Sequence, residues 1–413
     1  MHIFSDLHLH SKYSRACSKD IEIETLVQGA KWKGLQLLGT GDFTHPRWLK
    51  EIENKLIELK EESGFYILPQ DPSVFFVLSV EVNFVFYRQE KARRVHFVVL
   101  TSNLKTAKQI NEFLSFYGNL EADGRPTINL DPKIFLKKAL EIDPQIIMIP
   151  AHIWTPWFGI LGSYSGFNSL EECFEEMTEK ILAIETGLSS DPLMNWQVDF
   201  LDKVSIVSFS DSHSTLPHRL GREATVFNLE NLSFQSLYEA IKNEKIEFTI
   251  EFFPEEGKYH YDGHRACSIS FSPEEAEKIK NICPLCQKPL TIGVLHRVKN
   301  LATRKVSERP AKRPPYFSLV PLAEIIAKVL NSTEWSKKVQ EVYFSLIDYF
   351  NNEYNVLLSA PIEKIKEVTF ENIGKAIEKM RQQKLKLIPG YDGVYGRIEF
   401  DFEEETKKSP TLF

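Results

Sequence analysis

Along residues 1–253, short apolar runs end again and again in polar or metal-binding side chains. Met1–Phe4 leads into Asp6, His8 and His10, Leu35–Leu38 leads into Asp42 and His45, and Val74–Val80 ends at Glu81. Val95–Leu100 carries His96 near its start, and Ile146–Ile149 is followed by Pro150 and His152. Ile181–Ile184 ends at Glu185, and Val204–Phe209 ends at Ser210, Asp211 and His213. Short apolar runs bounded in this way predict strands. Between them, Ile23–Lys33, Pro46–Glu62, Pro132–Glu141 and Leu170–Glu179 carry apolar residues at helical spacing. Strands alternating with helices predict βα units around a mostly parallel sheet. Functional side chains gathered at strand C-termini are what a βα barrel or an open α/β sheet shows.

The alternation stops near Pro254. Residues 258–300 are short-segmented and loop-rich and hold Cys267, Cys283 and Cys286. Residues 288–313 carry eight Lys/Arg against one acid, Glu308, a local charge of +7. From Phe317 onward the pattern turns helical, with Leu322–Leu330, Lys337–Phe350 and Phe370–Gln383 amphipathic. Ile388–Gly396 is rich in Gly and Tyr and reads as a loop, and Glu399–Glu405 as a solvated acidic tail. Three units are therefore expected: residues 1–253, 254–305 and 306–413.

Composition narrows the class. A chain of 413 residues, 43% of them hydrophobic, can bury a large core. No apolar run approaches the ~18 residues of a membrane span. The start, Met1–His10, has no basic stretch followed by an apolar one, so no secretory signal is expected. Five cysteines, unevenly spaced, do not make a disulfide scaffold. A soluble, cytoplasmic protein is the expectation. The net charge of −7 argues against general nucleic-acid binding, although it conceals the basic segment.

Imidazole and carboxylate together suit zinc, manganese or iron. A single histidine at a strand end is most simply a hydrogen-bonded side chain, but six at equivalent positions point to metal. His8-Leu9-His10 places two imidazoles on one face of a strand, since residues two apart point the same way. Glu81 is suited to bridge two cations ~3.5–4 Å apart, an arrangement that activates water for phosphoryl displacement. Separately, His264-x2-Cys267-x15-Cys283-x2-Cys286 has the spacing of a structural zinc module, with His260 or His296 as substitutes for His264. Four protein ligands close such a site to chemistry, so its role is stability. Cys17 and Cys173 read as small apolar residues.

In order and context, His8-Leu9-His10, Gly41-Asp42, Glu81, His96, His152 and Ser210-Asp211-Ser212-His213 resemble the motifs of the PHP (polymerase and histidinol phosphatase) superfamily. Gly39–Pro46, Glu185–Pro192 and the cysteine segment resemble, more narrowly, the endonuclease Q family. The first resemblance implies a distorted (βα)7 barrel with a multinuclear metal site that hydrolyses phosphate esters. The second implies an α/β protein in which that barrel is joined to a small zinc-binding module and a mostly helical C-terminal domain. It also implies nicking of DNA 5′ of deaminated bases (hypoxanthine, uracil, xanthine) or abasic sites. By the same resemblance one metal takes His8, His10, Glu81 and Asp211, and a second shares Glu81 and adds His96 and His152. A third draws on Asp42 or His45 and on His213. Structural zinc is implied, with zinc, magnesium or manganese at the catalytic site. The chain departs from the superfamily at Ala16 and Phe43, where histidines are common. Asp191, before Pro192, is either a turn aspartate or helix N-cap, or else a general acid or an extra metal carboxylate; with Asp211 it is a candidate catalytic residue.

Damaged DNA is the expected partner, and no membrane is. Arg297, Lys299, Arg304, Lys305, Lys312 and Arg313 are candidates for phosphate contacts, against the reading of a solvated linker. Tyr391 and Tyr395 are candidates to stack an extruded base, against core packing. Two rival functions remain: a small-molecule phosphatase, which needs neither zinc module nor basic segment, and a non-catalytic DNA-binding adaptor, which needs no ligand set.

Overall fold

The computed structural model describes residues 1–306 and 309–400, so Glu308 and residues 401–405 of the acidic stretch lie outside the described residues. Seven strands meet in succession: β1 (His2–Asp6), β2 (Leu37–Gly39), β3 (Asp71–Arg88), β4 (Lys91–Thr101), β5 (Ile147–Pro150), β6 (Ala183–Glu185) and β7 (Ser205–Val207). β1, β2 and β3 pair in parallel, as do β6 and β7. Beyond β5, Ile153 N–H donates to the carbonyl of Glu185 in β6. Beyond β7, the chain returns to β1, where His10 N–H donates to Ser212 O and Ser212 N–H to His8 O.

The sheet is mixed rather than mostly parallel. β3 and β4 form an antiparallel hairpin, and β5 pairs antiparallel with β4. The hairpin turns at Gln89 and Glu90, both with φ above +50°. A two-residue turn of that hand suits the strand twist, but it lacks the Asn-Gly or Asp-Gly signature that announces one. β1 also pairs antiparallel with β8 (Ala224–Asn228), which pairs with β9 (Ile246–Glu251).

Strand periodicity explains where the chemistry gathers. Val77, Val98, Leu100, Ala183, Val207 and Phe209 belong to one buried apolar cluster. Because alternate residues share a face, Glu81 continues the face of Val77, His96 that of Val98, Glu185 that of Ala183 and Asp211 that of Phe209. Apolar packing thus gives way to ligating side chains at one end of the strands. Helices Ile23–Lys33, Pro46–Lys55, Leu104–Ser115 and Pro132–Ile142 cover the other face. The second of these ends before the expected Glu62 because Leu56 is extended and Ile57–Glu58 pairs with Tyr66–Leu68. The expected helix Leu170–Glu179 is split, with Glu175 at φ 49° after Phe174.

Residues 254–305 form a small unit built on the ribbon Asp262–His264 with Ile269–Phe271, around Ala276, Cys283 and Leu290. The helices Leu322–Val329, Lys337–Phe350, Ile362–Val368 and Glu371–Arg381 follow, and their core is continuous with that of the N-terminal strands. Across the expected boundary at 306 the chain stays joined to the N-terminal strands. β10 (Tyr316–Ser318) pairs in parallel with β9 and extends the main sheet. Lys33 Nζ, buried on the first helix, donates to Glu353 Oε1 at 2.7 Å, while Tyr343 Oη donates to Glu353 Oε2 at 2.9 Å. Removing one partner of a buried ion pair strands the other, so Glu353→Gln is expected to cost about 3–5 kcal/mol of stability. Urea unfolding of that variant beside Lys33→Met/Glu353→Leu checks this, the double variant recovering most of the loss. No helix among the described residues is long and apolar enough to cross a membrane.

Candidate metal centres

Glu81 lies at the meeting point of two groups of ligands. Its Oε2 is 3.2 Å from His10 Nε2 and 3.5 Å from His8 Nε2, and Asp211 Oδ1 lies 3.0 and 3.6 Å from the same two nitrogens. Its Oε1 is 2.6 Å from His96 Nδ1 and 3.0 Å from His152 Nε2. His8, His10, Glu81 and Asp211 form one cluster of potential ligands, and Glu81, His96 and His152 another. One carboxylate therefore offers an oxygen to each.

The ring nitrogens are aimed, not merely near. His8 Nε2 and His96 Nδ1 are buried and make no hydrogen bond, although carboxylate oxygens surround both. Each histidine of the first cluster is instead held through its other nitrogen. His8 Nδ1 is 2.9 Å from Glu185 Oε1, and His10 Nδ1 is 3.2 Å from Asp42 Oδ1. A carboxylate behind an imidazole fixes its tautomer and direction, as in metal sites generally. His152 Nδ1 contacts Thr155 Oγ1 at 3.0 Å, and the His152 backbone N–H donates to Glu185. Asp42, His152 and Asp211 all have positive φ, a strain of ~1–3 kcal/mol each that their surroundings must hold. Gly187, at φ +61°, leaves room for His152, which a Cβ there would strike.

Charge follows from burial and proximity. Burial opposes ionisation of Glu81, but His96, Arg125 and His8 outweigh it and hold the carboxyl well below its usual range. Burial likewise opposes a charged His8, yet Glu185, Glu81 and Asp211 raise its pKa well above the ordinary value. Burial dominates at His96, whose pKa falls to about 4. A pocket of carboxylates that draws positive charge onto its imidazoles is one that suits divalent cations.

The structure does not assemble the third set. Asp42 accepts from Ser11 N, Ser11 Oγ, Ser14 Oγ and His10, so its oxygens are committed. His45 stacks on Tyr13 at 4.3 Å at the start of its helix. His213 packs against the His10 ring, with Nδ1 on the Asp211 carbonyl at 2.9 Å. Asp191 caps the short helix Pro192–Asn195 through Met194 N–H at 2.8 Å; burial pushes its pKa up to about 6, and it belongs to neither cluster. Arg125, by contrast, carries no sequence signal. It sits on a loop, half-buried, and its guanidinium reaches Glu81 Oε2 at 3.1 Å.

Losing the anchor of His8 tests this geometry. Glu185→Gln is expected to weaken metal affinity ~10–100-fold, the usual effect of replacing an outer carboxylate. Metal titration by calorimetry, with thermal melting to verify the fold, measures it.

The second set is also gathered. His264, Cys267, Cys283 and Cys286 have ligand atoms within 4.8 Å of one another. His260 and His296 are not among them, and His296 Nδ1 is instead 2.5 Å from buried Asp262.

Four of the six candidates in the basic segment have partners within the protein. Arg297 donates to Leu161 O, Phe167 O and Asn168, Arg304 to both oxygens of Asp202, and Lys299 to Glu277. Arg313 is buried and donates to Leu201 O, Val204 O and Glu244. These arginines tie the segment to loops and turns of residues 161–244, leaving exposed Lys305 and Lys312 as its candidates without such a partner. Tyr391 packs against Gly263 of the zinc-type ribbon, whereas Tyr395 is 68% exposed, with Lys258 Nζ 4.5 Å from its ring centre.

Residues 321–384 match the family described as the MJ0043 C-terminal domain. The chain is 33% identical over 252 residues to the uncharacterized protein MJ0043 of Methanocaldococcus jannaschii, the match covering 60% of this chain and 31% of that protein. It is 27% identical to the uncharacterized protein YqxK of Bacillus subtilis, over 96% of this chain and 99% of that one. Among solved structures it resembles the lesion-specific endonuclease PfuEndoQ of Pyrococcus furiosus, with TM-score 0.86, 34% identity and coverage of 98% and 96%. It also resembles endonuclease Q in complex with a 27-mer duplex bearing an abasic lesion at the active site, with TM-score 0.87, 34% identity and coverage of 98% and 98%.

Proposed function

The chain belongs to the endonuclease Q family, and on that premise we propose that it is a metal-dependent DNA-repair endonuclease that nicks 5′ of abasic sites and deaminated bases. In this reading the seven strands are a PHP-type barrel, residues 254–305 a zinc-stabilised module, and the C-terminal helices part of the DNA-binding body. The observation that carries it is Glu81, with one oxygen facing His8, His10 and Asp211 and the other facing His96 and His152.

When bound, divalent cations supply Lewis acidity and an activated water at neutral pH. The chain's residues do the rest. His8, His10, Glu81 and Asp211 would hold one cation, and Glu81, His96 and His152 would hold the other. Glu185 and Asp42 keep two imidazoles turned inward. Arg125, at the rim, pairs with a non-bridging phosphate oxygen of the DNA. Hydrolysis adds water across the P–O3′ bond, leaving a 3′-hydroxyl and a 5′-phosphate.

A small-molecule phosphatase does not account for the likeness along 98% of the chain to an enzyme seated on a 27-mer duplex. The test is a nicking assay on duplexes holding an abasic site, inosine or uracil, with undamaged duplex as control, before and after chelation. Nicking of damaged duplex only, lost to chelator and restored by added zinc, manganese or magnesium, is the expected result. Cutting that persists in chelator, or none with any metal, overturns the proposal.

A further inference from the structure

Exposed aromatic rings are concentrated on the loop that leaves His152. Trp157, Phe158 and Tyr164 are 37%, 38% and 44% exposed. Phe158 stacks on the ring of His96 with centroids 4.6 Å apart, so this surface begins against a residue of the candidate metal site. Trp157 and Tyr164 lie parallel, 3° apart in plane with centroids at 4.9 Å, and Tyr259 meets Trp157 edge-on.

The loop is fixed rather than loose. His96 N–H donates to Phe158 O, Leu161 N–H to Ile153 O, and Ser165 Oγ to Arg94 O. From the zinc-type unit, Arg297 clamps Leu161 O and Phe167 O at 2.9 and 2.8 Å. Three large rings held in water by a rigid backbone are unusual, because each leaves apolar area unburied without the freedom to turn inward. Pre-ordered aromatic faces are what an unstacked base needs, since stacking is indifferent to base identity and is lost if the ring must first be ordered.

We propose that Trp157 and Tyr164 form the platform on which the extruded damaged base stacks, with Phe158 joining it to the metal centre. The proposal rests on the endonuclease reading above and assigns the base contact to the strand-end loop rather than to Tyr391. Tyr391 is packed against Gly263, and Tyr395 engages Lys258. A nucleotide drawn from the duplex meets the platform while its phosphate faces Glu81 and Arg125, so one movement delivers both.

An abasic site separates this from every other contribution of the loop, because it has a phosphate to cut and no base to stack. The variant is Trp157→Ala, with Trp157→Phe as the conservative partner; neither touches a candidate metal ligand. Affinity and single-turnover nicking are measured on inosine, uracil and abasic duplexes in the metal-loaded protein, with metal content and melting temperature recorded. Trp157→Ala is expected to lose about 5- to 150-fold on inosine and uracil duplexes, the range for one stacked base. The abasic duplex should be unaffected, and Trp157→Phe should recover most of the loss. Equal losses on all three, or no loss on any, overturn the platform. Wild-type protein that nicks abasic but not base-bearing lesions also overturns it while leaving the endonuclease reading in place. Wild-type protein that nicks none of them overturns the endonuclease reading instead.

Discussion

Glu81→Gln is expected to abolish nicking while leaving duplex affinity nearly intact. The carboxylate contributes charge and an oxygen to both ligand groups, whereas every other residue of either group serves one. An amide carries no charge and has one acceptor oxygen, so neither group keeps its shared anion. Replacing an outer carboxylate costs ~10–100-fold; losing this one should cost at least about 10³-fold in rate, about 4 kcal/mol of barrier. Its comparison is Asp211→Asn, which touches only the His8–His10 group. Metal analysis should find both cations lost from the Glu81 variant and one from the Asp211 variant. If both variants retain full metal and cut at wild-type rates, the clusters are not the catalytic centre.

The second large effect concerns Cys283→Ser. Cys283 is fully buried, its N–H donates to Lys288 O, and with Ala276 and Leu290 it makes up the core of its unit. This core is small, and on the zinc reading the metal adds to its folding energy, ~10–16 kcal/mol in isolated zinc-finger peptides. The variant is expected to release one equivalent of zinc and to expose residues 254–305 to protease. The damage should spread, because Asp392 on the Ile388–Gly396 loop accepts from Arg265 N–H and Thr291 Oγ. Unchanged zinc content and an unchanged digestion pattern would remove zinc from the account of this unit.

The ligand groups were legible because strands impose a two-residue period. Val77, Ser79 and Glu81, or Ala183 and Glu185, reveal a common face from the sequence alone. What a carboxylate faces is not legible. Asp42 and Glu185 follow or end short apolar runs just as Glu81 does in the sequence, yet each addresses an Nδ1 instead of the centre. Arg125 stands in a loop with no repeat to mark it. The internal partners of the basic segment were not legible for a related reason. Arg313 finds Glu244, and Arg304 finds Asp202, across 69 and 102 residues of chain, distances over which composition says nothing. The β3–β4 hairpin was hidden because Gln89 and Glu90 adopt a turn that favours other residues.

The tie between Lys33 and Glu353 spans 320 residues of sequence. Together with β10, it joins the end of the chain to its beginning. The first helix emerges early in synthesis, but Glu353, which accepts from its ammonium, is made only 320 residues later. The sheet's far edge stays open until Tyr316–Ser318 has been made. Domains can fold as units while they emerge; here the buried tie and the edge strand are added only after every residue of the two ligand groups has been made. A chain truncated before Tyr316 would keep both ligand groups and lose both ties, and is expected to melt at a lower temperature than the full chain.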